Sequence, residues 1–245
     1  MNESFYVGAV GAAQCTQRLS VIANNLANVN NNGFKPKQTA FSELIGYNLN
    51  DSEEAVTELQ SGVGTRVVRT YTSFAADALQ QTNSPFDYAI MRDNTFFMLR
   101  DPVTNEITYT RDGHFHRAER EDGFYLMTDN EKFVLDADGQ PMRAPAGDGT
   151  QEDEENEQVI GLFTFQNPSR LMSVTSNEYV PSDEGVQAIP VQDPAALVKG
   201  SLEASGTDVA KEFSHVIECQ RAFSFALRMV TTSDEIMSTI NNLRN

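Results

Sequence analysis

Two apolar stripes, one at each end of the chain, constrain this sequence more than anything between them. Phe5, Ala9, Ala12, Cys15, Leu19, Ile22, Leu26 and Val29 follow one another at steps of four and three. That spacing lays them along one face of a helix, close to a coiled-coil seam. The first half of the seam is built of small residues, which allows a close partner. Asn30, Asn31, Asn32 and Gly33 follow, residues that accept left-handed backbone at a helix end. Pro36 then blocks continuation.

The last segment repeats the pattern with Val209, Phe213, Val216, Gln220, Phe223, Leu227, Val230, Asp234 and Met237. Ile236, Ile240 and Leu243 continue a second apolar line. Gln220 and Asp234 interrupt the seam, as polar residues that set register or partner choice do. Thr207 and Asp208 are N-cap candidates, and neither Gly nor Pro occurs after them, so the spacing predicts a helix over about 208–243. A light, alanine-rich stripe is not stable on a lone helix in water. The simplest partner for each helix is the other, folded back antiparallel, with neighbouring copies covering what remains. If the two ends are matched, with residue 1 opposite about 244, Cys15 and Cys219 lie roughly 15 Å apart along the axis. That exceeds the ~7 Å a disulfide allows, so no bridge between them is expected.

Between the stripes the period changes. Phe86, Tyr88 and Ile90 alternate, Phe96–Leu99 is a strand-length apolar run, and Ile107–Thr110 is β-branched and aromatic. Asp112-Gly113, Asp122-Gly123 and Asp138-Gly139 punctuate the runs that contain Phe115, Phe124–Met127 and Phe133–Leu135. Asp-Gly between such runs is a strong hairpin signal. Val159–Phe165 is a further strand candidate, closed by Asn167-Pro168. The predicted fold class is therefore α+β: terminal helices paired as an antiparallel coiled-coil domain, with an antiparallel β-rich central domain. The segments are 1–33, the first helix of the helical domain; 34–80, an extended linker; 81–199, the β domain; and 200–245, the second helix.

Charge follows the same division. The 245 residues carry a formal net charge of −17. Residues 1–50 are net +1 and residues 200–245 net −2, so the centre holds −16. Such a balance argues against a nucleic-acid partner and against an anionic membrane surface. No apolar run reaches the ~18–20 residues of a membrane-spanning helix, and the start has no cleavable signal-peptide layout. The acidic run 152–157 reads as a solvated loop, since a calcium loop needs spaced oxygens around a glycine.

Chemistry is sparse. His114 and His116 share one strand face without further ligands nearby in sequence, so no metal is expected. Asp136-x-Asp138-Gly139 begins like an EF-hand loop, but Gly147 stands where the bidentate Glu belongs. Cys15 and Cys219 fall on helix faces and read as core thiols. No glycine-rich phosphate loop occurs. No catalytic residue, cofactor or metal site is assigned.

The stretch from Ala23 to Lys35, with Asn24, Asn25, Leu26, Asn28, Gly33 and Phe34, resembles the signature of the bacterial flagellar rod and hook proteins, the axial basal-body family. Gly200–Ser205, Asp208-Val209, Glu212-Phe213, Ile217–Phe223 and Thr231–Ile236 resemble its C-terminal signature. In the centre, Asp87–Ile90, Phe96-Phe97, Tyr109–Phe115 and Phe163–Pro168 resemble its β-domain landmarks. Two departures stand out. The family's Asn-Val after the motif serine is Gly206-Thr207 here, and its Gly-Asp-Gly before Phe-Phe is replaced within Arg92–Thr95. The length leaves no room for a hook protein's outer domains, and Tyr47–Thr65 resembles the extra stretch of distal-rod subunits.

The resemblance implies a structural subunit that stacks helically into a hollow tube, with terminal helices inside and the β domain outside. It implies torque transmission from motor to hook and location in the basal body. It also implies the flagellar type III export apparatus and neighbouring rod and hook subunits as partners. The rod subunit just below the distal one is the nearest alternative; a wall-acting enzyme on a rod-like scaffold and a monomeric binding module are the other classes. The expected assembly interface is Phe5, Leu19, Ile22, Asn24, Asn25, Leu26, Asn28, Gly33 and Phe34 at one end. At the other it is Phe213, Ile217, Gln220, Arg221, Phe223, Leu227, Val230, Met237 and Ile240.

Overall fold

The computed structural model describes residues 3–44, 47–48, 60–61, 64–120, 122–144, 159–175, 177–183, 185–191 and 193–243. The acidic run 152–157 and most of the Tyr47–Thr65 stretch lie outside the described residues. The chain forms two compact units, one of residues 1–27, 37–71 and 208–245, the other of residues 28–36 and 72–207.

The first unit holds both long helices, α1 (Glu3–Ala27) and α2 (Val209–Leu243). It also holds strands β1 (Lys37–Glu43), β2 (Tyr47–Asn48), β3 (Gln60–Ser61) and β4 (Thr65–Thr72), the last ending at the unit boundary. β1 pairs with β4, and β2 with β3. Asp208 is the N-cap of α2: its Oδ1 accepts the Ala210 and Lys211 amides at 3.0 and 3.2 Å. α1 packs on α2, and as numbers rise along one helix they fall along the other. Ser4 Oγ lies 3.0 Å from Ser233 Oγ, Arg18 meets Glu218 at 3.4 Å, and Asn25 donates to Glu212 at 3.0 Å.

This register differs by about eight residues from the end-matched one, because the small residues of α1 set it. A Cβ on Gly8 would stand 3.0 Å from Val230 Cγ2 and 3.1 Å from the Ala226 carbonyl. The seam on α2 is thus Glu212, Cys219, Ala226, Val230 and Ser233, a narrow stripe of small and polar residues beside the larger apolar line. Cys15 and Cys219 are free thiols. With 18 facing 218 they fall about one turn apart, closer than the end-matched register implied. Burial pushes the Cys219 thiol up; Arg18 opposes this and Cys15 adds to it. The last ten residues of α2 run past the point where Ser4 meets Ser233.

Gly8→Leu should force the helices apart at Val230 and cost about 1–3 kcal/mol, the usual penalty for overfilling a packed seam. Thermal unfolding followed by circular dichroism at the helix band measures it.

The second unit is built from short strands. They are β5 (Leu79–Gln81), β6 (Tyr88–Ile90), β7 (Thr95–Arg100), β8 (Ile107–Thr110), β9 (Phe115–Arg120), β10 (Gly123–Thr128) and β11 (Phe133–Val134). Then follow β12 (Leu162–Thr164), β13 (Leu171–Ser173), β14 (Glu178–Pro181), β15 (Ile189–Val191), β16 (Leu197–Lys199) and β17 (Ser201–Glu203). The main sheet runs β13-β14-β8-β7-β11-β10-β9, with β12 joining β7 and β15. Two further ribbons pair β16 with β6 and β17 with β5, both antiparallel.

β7 is the central strand, buried on both faces. Period-two alternation sends Phe97 and Leu99 into one core with Phe115, Leu126, Val134 and Leu162. Phe96 and Met98 enter a second core with Phe74, Tyr109, Phe163, Phe165 and Tyr179. A continuous apolar run is what a doubly covered strand needs. Asn94 takes the left-handed backbone at φ 55°, so asparagine serves the turn where the family's glycine is replaced. Asp136 Oδ1 accepts the Asp138 and Gln140 amides at 3.0 and 2.8 Å, so that carboxylate caps a turn.

Candidate assembly site

In the second unit, the three sequence stretches that carry the family resemblance meet around one carboxylate. β17 ends in Glu203, and its side chain is fully buried. Glu203 Oε2 accepts from Arg111 Nε at 2.8 Å. Oε1 accepts from Lys35 Nζ at 2.8 Å, from the Asp77 amide at 2.9 Å and from Arg111 Nη2 at 2.9 Å. Arg111 and Lys35 also have no exposed side-chain surface. The guanidinium spends its remaining donors on the carbonyls of Thr95 at 2.8 Å, Arg92 at 3.2 Å and Ile90 at 3.3 Å. Lys35 Nζ donates further to Ala75 O and to Asp77 Oδ2. Every buried charge therefore has opposite charge and directed hydrogen bonds, the condition under which such groups are tolerated.

The backbones of two arms, residues 28–36 and 201–207, are bonded to each other at the same place. The Gly33 amide donates to Glu203 O at 2.8 Å, the Gly206 amide to Phe34 O at 2.9 Å, and Ser205 Oγ to Asn28 O at 3.0 Å. Gly33 has φ 63°, and a Cβ there would fall 2.6 Å from the Arg111 carbonyl. This position needs glycine for its backbone and for its space. A Cβ on Gly206 would fall 2.3 Å from Asp77 Oδ2. The departure from the family's asparagine thus makes room for the Asp77 carboxylate beside Lys35.

Nearby in the same unit, Tyr179 is buried and its hydroxyl is pushed up to about 12 by that burial, with Arg111 opposing and Glu203 adding to the rise. His114 Nδ1 lies 3.0 Å from Asp87 Oδ1, and His116 Nδ1 3.6 Å from Asp129 Oδ1. Among the described residues no group of three or more His, Cys, Asp or Glu could hold a metal. Asp112 caps the turn before β9, accepting the His114 amide at 3.0 Å. Burial raises its pKa; the His114 amide and charge lower it, and Asp129 and Asp87 raise it.

A raised carboxyl pKa means that the folded state holds the proton more tightly than the unfolded chain. This contribution to stability is greatest when Asp112 is protonated and declines as pH rises from the unfolded value through the folded one. Asp112→Asn keeps the turn acceptor and removes the charge. The variant should melt above the wild type at pH 7, and the gap should close toward pH ~3, below the ordinary aspartate value of ~3.9. Parallel thermal melts across that range test this.

In the first unit, Asn25 is buried and ties three elements. Its amide donates to Lys37 O at 2.9 Å and to Glu212 Oε1 at 3.0 Å, and its Oδ1 accepts the Lys37 amide at 2.9 Å. Glu212 Oε2 is buried with no hydrogen-bond partner, 3.6 Å from His215 Nδ1. Gln14 Oε1 accepts the Val67 amide at 2.7 Å, holding β4 to α1.

The residues expected at the interface separate into three groups. Ile22, Asn25, Gly33 and Phe34 are buried within their own units. Leu26, Asn28 and Val230 are half-buried. Phe5, Leu19, Asn24, Phe213, Ile217, Gln220, Arg221, Phe223, Leu227, Met237 and Ile240 are exposed. Phe213 and Ile217 keep 56% and 52% of their surface, Phe225 66% and Leu243 83%. This is a long helix with more large apolar groups outside its seam than in it. No helix among the described residues is long and apolar enough to cross a membrane. Sequence reasoning did not reach Lys35, Asp77, Arg111 and Glu203 as a group. Three of them sit inside the quoted motifs, but nothing in their spacing shows that they meet.

Comparison with known proteins agrees with these motifs. Residues 5–35 match the family model described as flagella basal body rod protein, and residues 198–243 match that of the flagellar basal body rod FlgEFG protein C-terminal. The chain is 30% identical to the flagellar basal-body rod protein FlgG of Bacillus subtilis (strain 168), over 100% of both chains. It is 27% identical to FlgF of Mesorhizobium japonicum over 99% of each, and 25% identical to the flagellar hook-basal body complex protein FlhP of B. subtilis over 100% of each. The chain belongs to the flagellar basal-body rod protein family, structural proteins of the rod, and within it fits the distal-rod FlgG group.

Proposed function

We propose that copies of this chain stack helically into a hollow tube of the distal rod, in the basal body, passing torque from motor to hook and leaving a central export channel. The observation that carries this reading is the exposed apolar surface of α2, from Phe213 and Ile217 to Ile240 and Leu243. An apolar face of this extent is what an interaction site needs and what a solitary protein avoids. The contacts of Ser4 with Ser233 and of Asn25 with Glu212 support an antiparallel coiled-coil core built on α1 and α2, within the expected segments 1–33 and 200–245. Copies would meet through the exposed residues, with Phe5 and Leu19 of α1 and Phe213, Ile217, Phe223, Leu227, Met237 and Ile240 of α2 in the contacts. Neighbouring rod and hook subunits would cap the two ends, and the flagellar type III export apparatus would deliver the chain. The family names point to a structural role and not to catalysis.

Electron microscopy of the purified protein, concentrated and seeded with isolated rods, tests this reading. Tubes whose inner wall carries α2 are the expected result. A chain that stays monomeric by analytical ultracentrifugation under seeding would overturn it.

A further inference from the structure

Each arm of the second unit has bonds of its own to the β core, Asn32 O to the Asn177 amide group and β17 to β5, but the two also share one atom. Glu203 Oε1 accepts from Lys35 of the N-terminal arm, from Arg111 at the end of β8 and from the Asp77 amide. The N-terminal arm in turn bonds the C-terminal one through Gly33–Glu203, Phe34–Gly206 and Asn28–Ser205. If Lys35 left alone, Glu203 and Asp77 would lose their shared cation. If Glu203 left alone, two cations with no exposed surface would stay in the interior. The first state leaves the Asp77 carboxylate, 33% exposed, without its cation while Glu203 keeps Arg111; the second strands two fully buried cations, and both lie above the closed state.

We propose that this network is an all-or-none latch: residues 28–36 and 201–207 open together, as one cooperative unit, while the β core stays folded. Opening both arms at once takes Lys35 and Glu203 to water together and uncovers Arg111 and Asp77, their partners on the core, whereas every partial opening strands a charge. The core has two apolar clusters that include no residue of the N-terminal arm, so it keeps its own stability when the latch is open. The latch does not depend on whether the chain polymerises.

Native-state hydrogen exchange on the full-length monomer, read by mass spectrometry at low denaturant, tests it. In the wild type the amides of Gly33 and Gly206 should open at one common free energy, below that of β7 and β10. Lys35→Met should lower protection in both arms by the same factor, about tenfold or more, with β7 and β10 unchanged. Asp77→Asn keeps Lys35 on Glu203 and serves if Lys35→Met folds poorly; it should give the same paired loss at a smaller factor. Loss of protection in residues 28–36 alone, with 201–207 unmoved, would overturn the latch. So would an equal fall throughout the β core.

Discussion

Replacing Glu203 by glutamine lowers the unfolding free energy by roughly 3–5 kcal/mol, the range seen when one partner of a buried ion pair is removed. The reason is not the loss of one contact. Glutamine is isosteric, so the cavity and packing persist, but Arg111 and Lys35 keep their charges with no exposed surface and one carboxylate fewer. The amide nitrogen also presents a donor to donors. Urea unfolding read by circular dichroism gives the figure. Substituting Lys35, Arg111 and Glu203 together by methionine should cost much less, because an apolar replacement of a whole buried network is often near neutral. A triple variant as unstable as Glu203→Gln would show that the three side chains act through shape and not through charge.

The second large effect concerns assembly and leaves the monomer alone. Phe213→Gln with Ile217→Gln changes two side chains that are about half exposed. Glutamine is a good helix former, so monomer stability should move by no more than about 0.5 kcal/mol per site. If a neighbouring copy covers these groups, each loses up to about half of a ~1.5–3 kcal/mol burial term. The two together amount to about 1.5–3 kcal/mol, which raises the critical concentration for polymer growth about 10–100-fold at 1.4 kcal/mol per decade. Sedimentation of seeded polymer across a concentration series measures it. An unchanged critical concentration would remove this face of α2 from the interface.

Much of the architecture was legible in the chain because local physics writes it. Steps of four and three marked α1 and α2, Asp208 capped where a cap was expected, and β-branched and aromatic runs next to Asp-Gly pairs marked β8 and β10. What stayed hidden depends on three-dimensional meeting. The apolar line of α2 suggested that Phe213, Phe223 and Leu227 face α1, yet Gly8 and Gly11 sit against a narrower stripe one step around the helix. Period alone cannot choose between two adjacent stripes when the partner's small residues reward close approach. The Lys35–Glu203–Arg111 network was invisible for another reason: a charge inside a motif looks the same whether it faces solvent or is fully buried.

The spacing of the latch along the chain has a kinetic meaning. Lys35 and Glu203 are 168 positions apart, and Ser4 and Ser233 are 229 apart. Contacts of such high contact order are late and slow, because the loop must close before anything is gained. A chain that emerges from one end therefore cannot seat α1 on α2 until almost all of it is free. The helix that would otherwise seek partners first must wait for the one made last, so the fold itself times when the chain ends become an assembled surface.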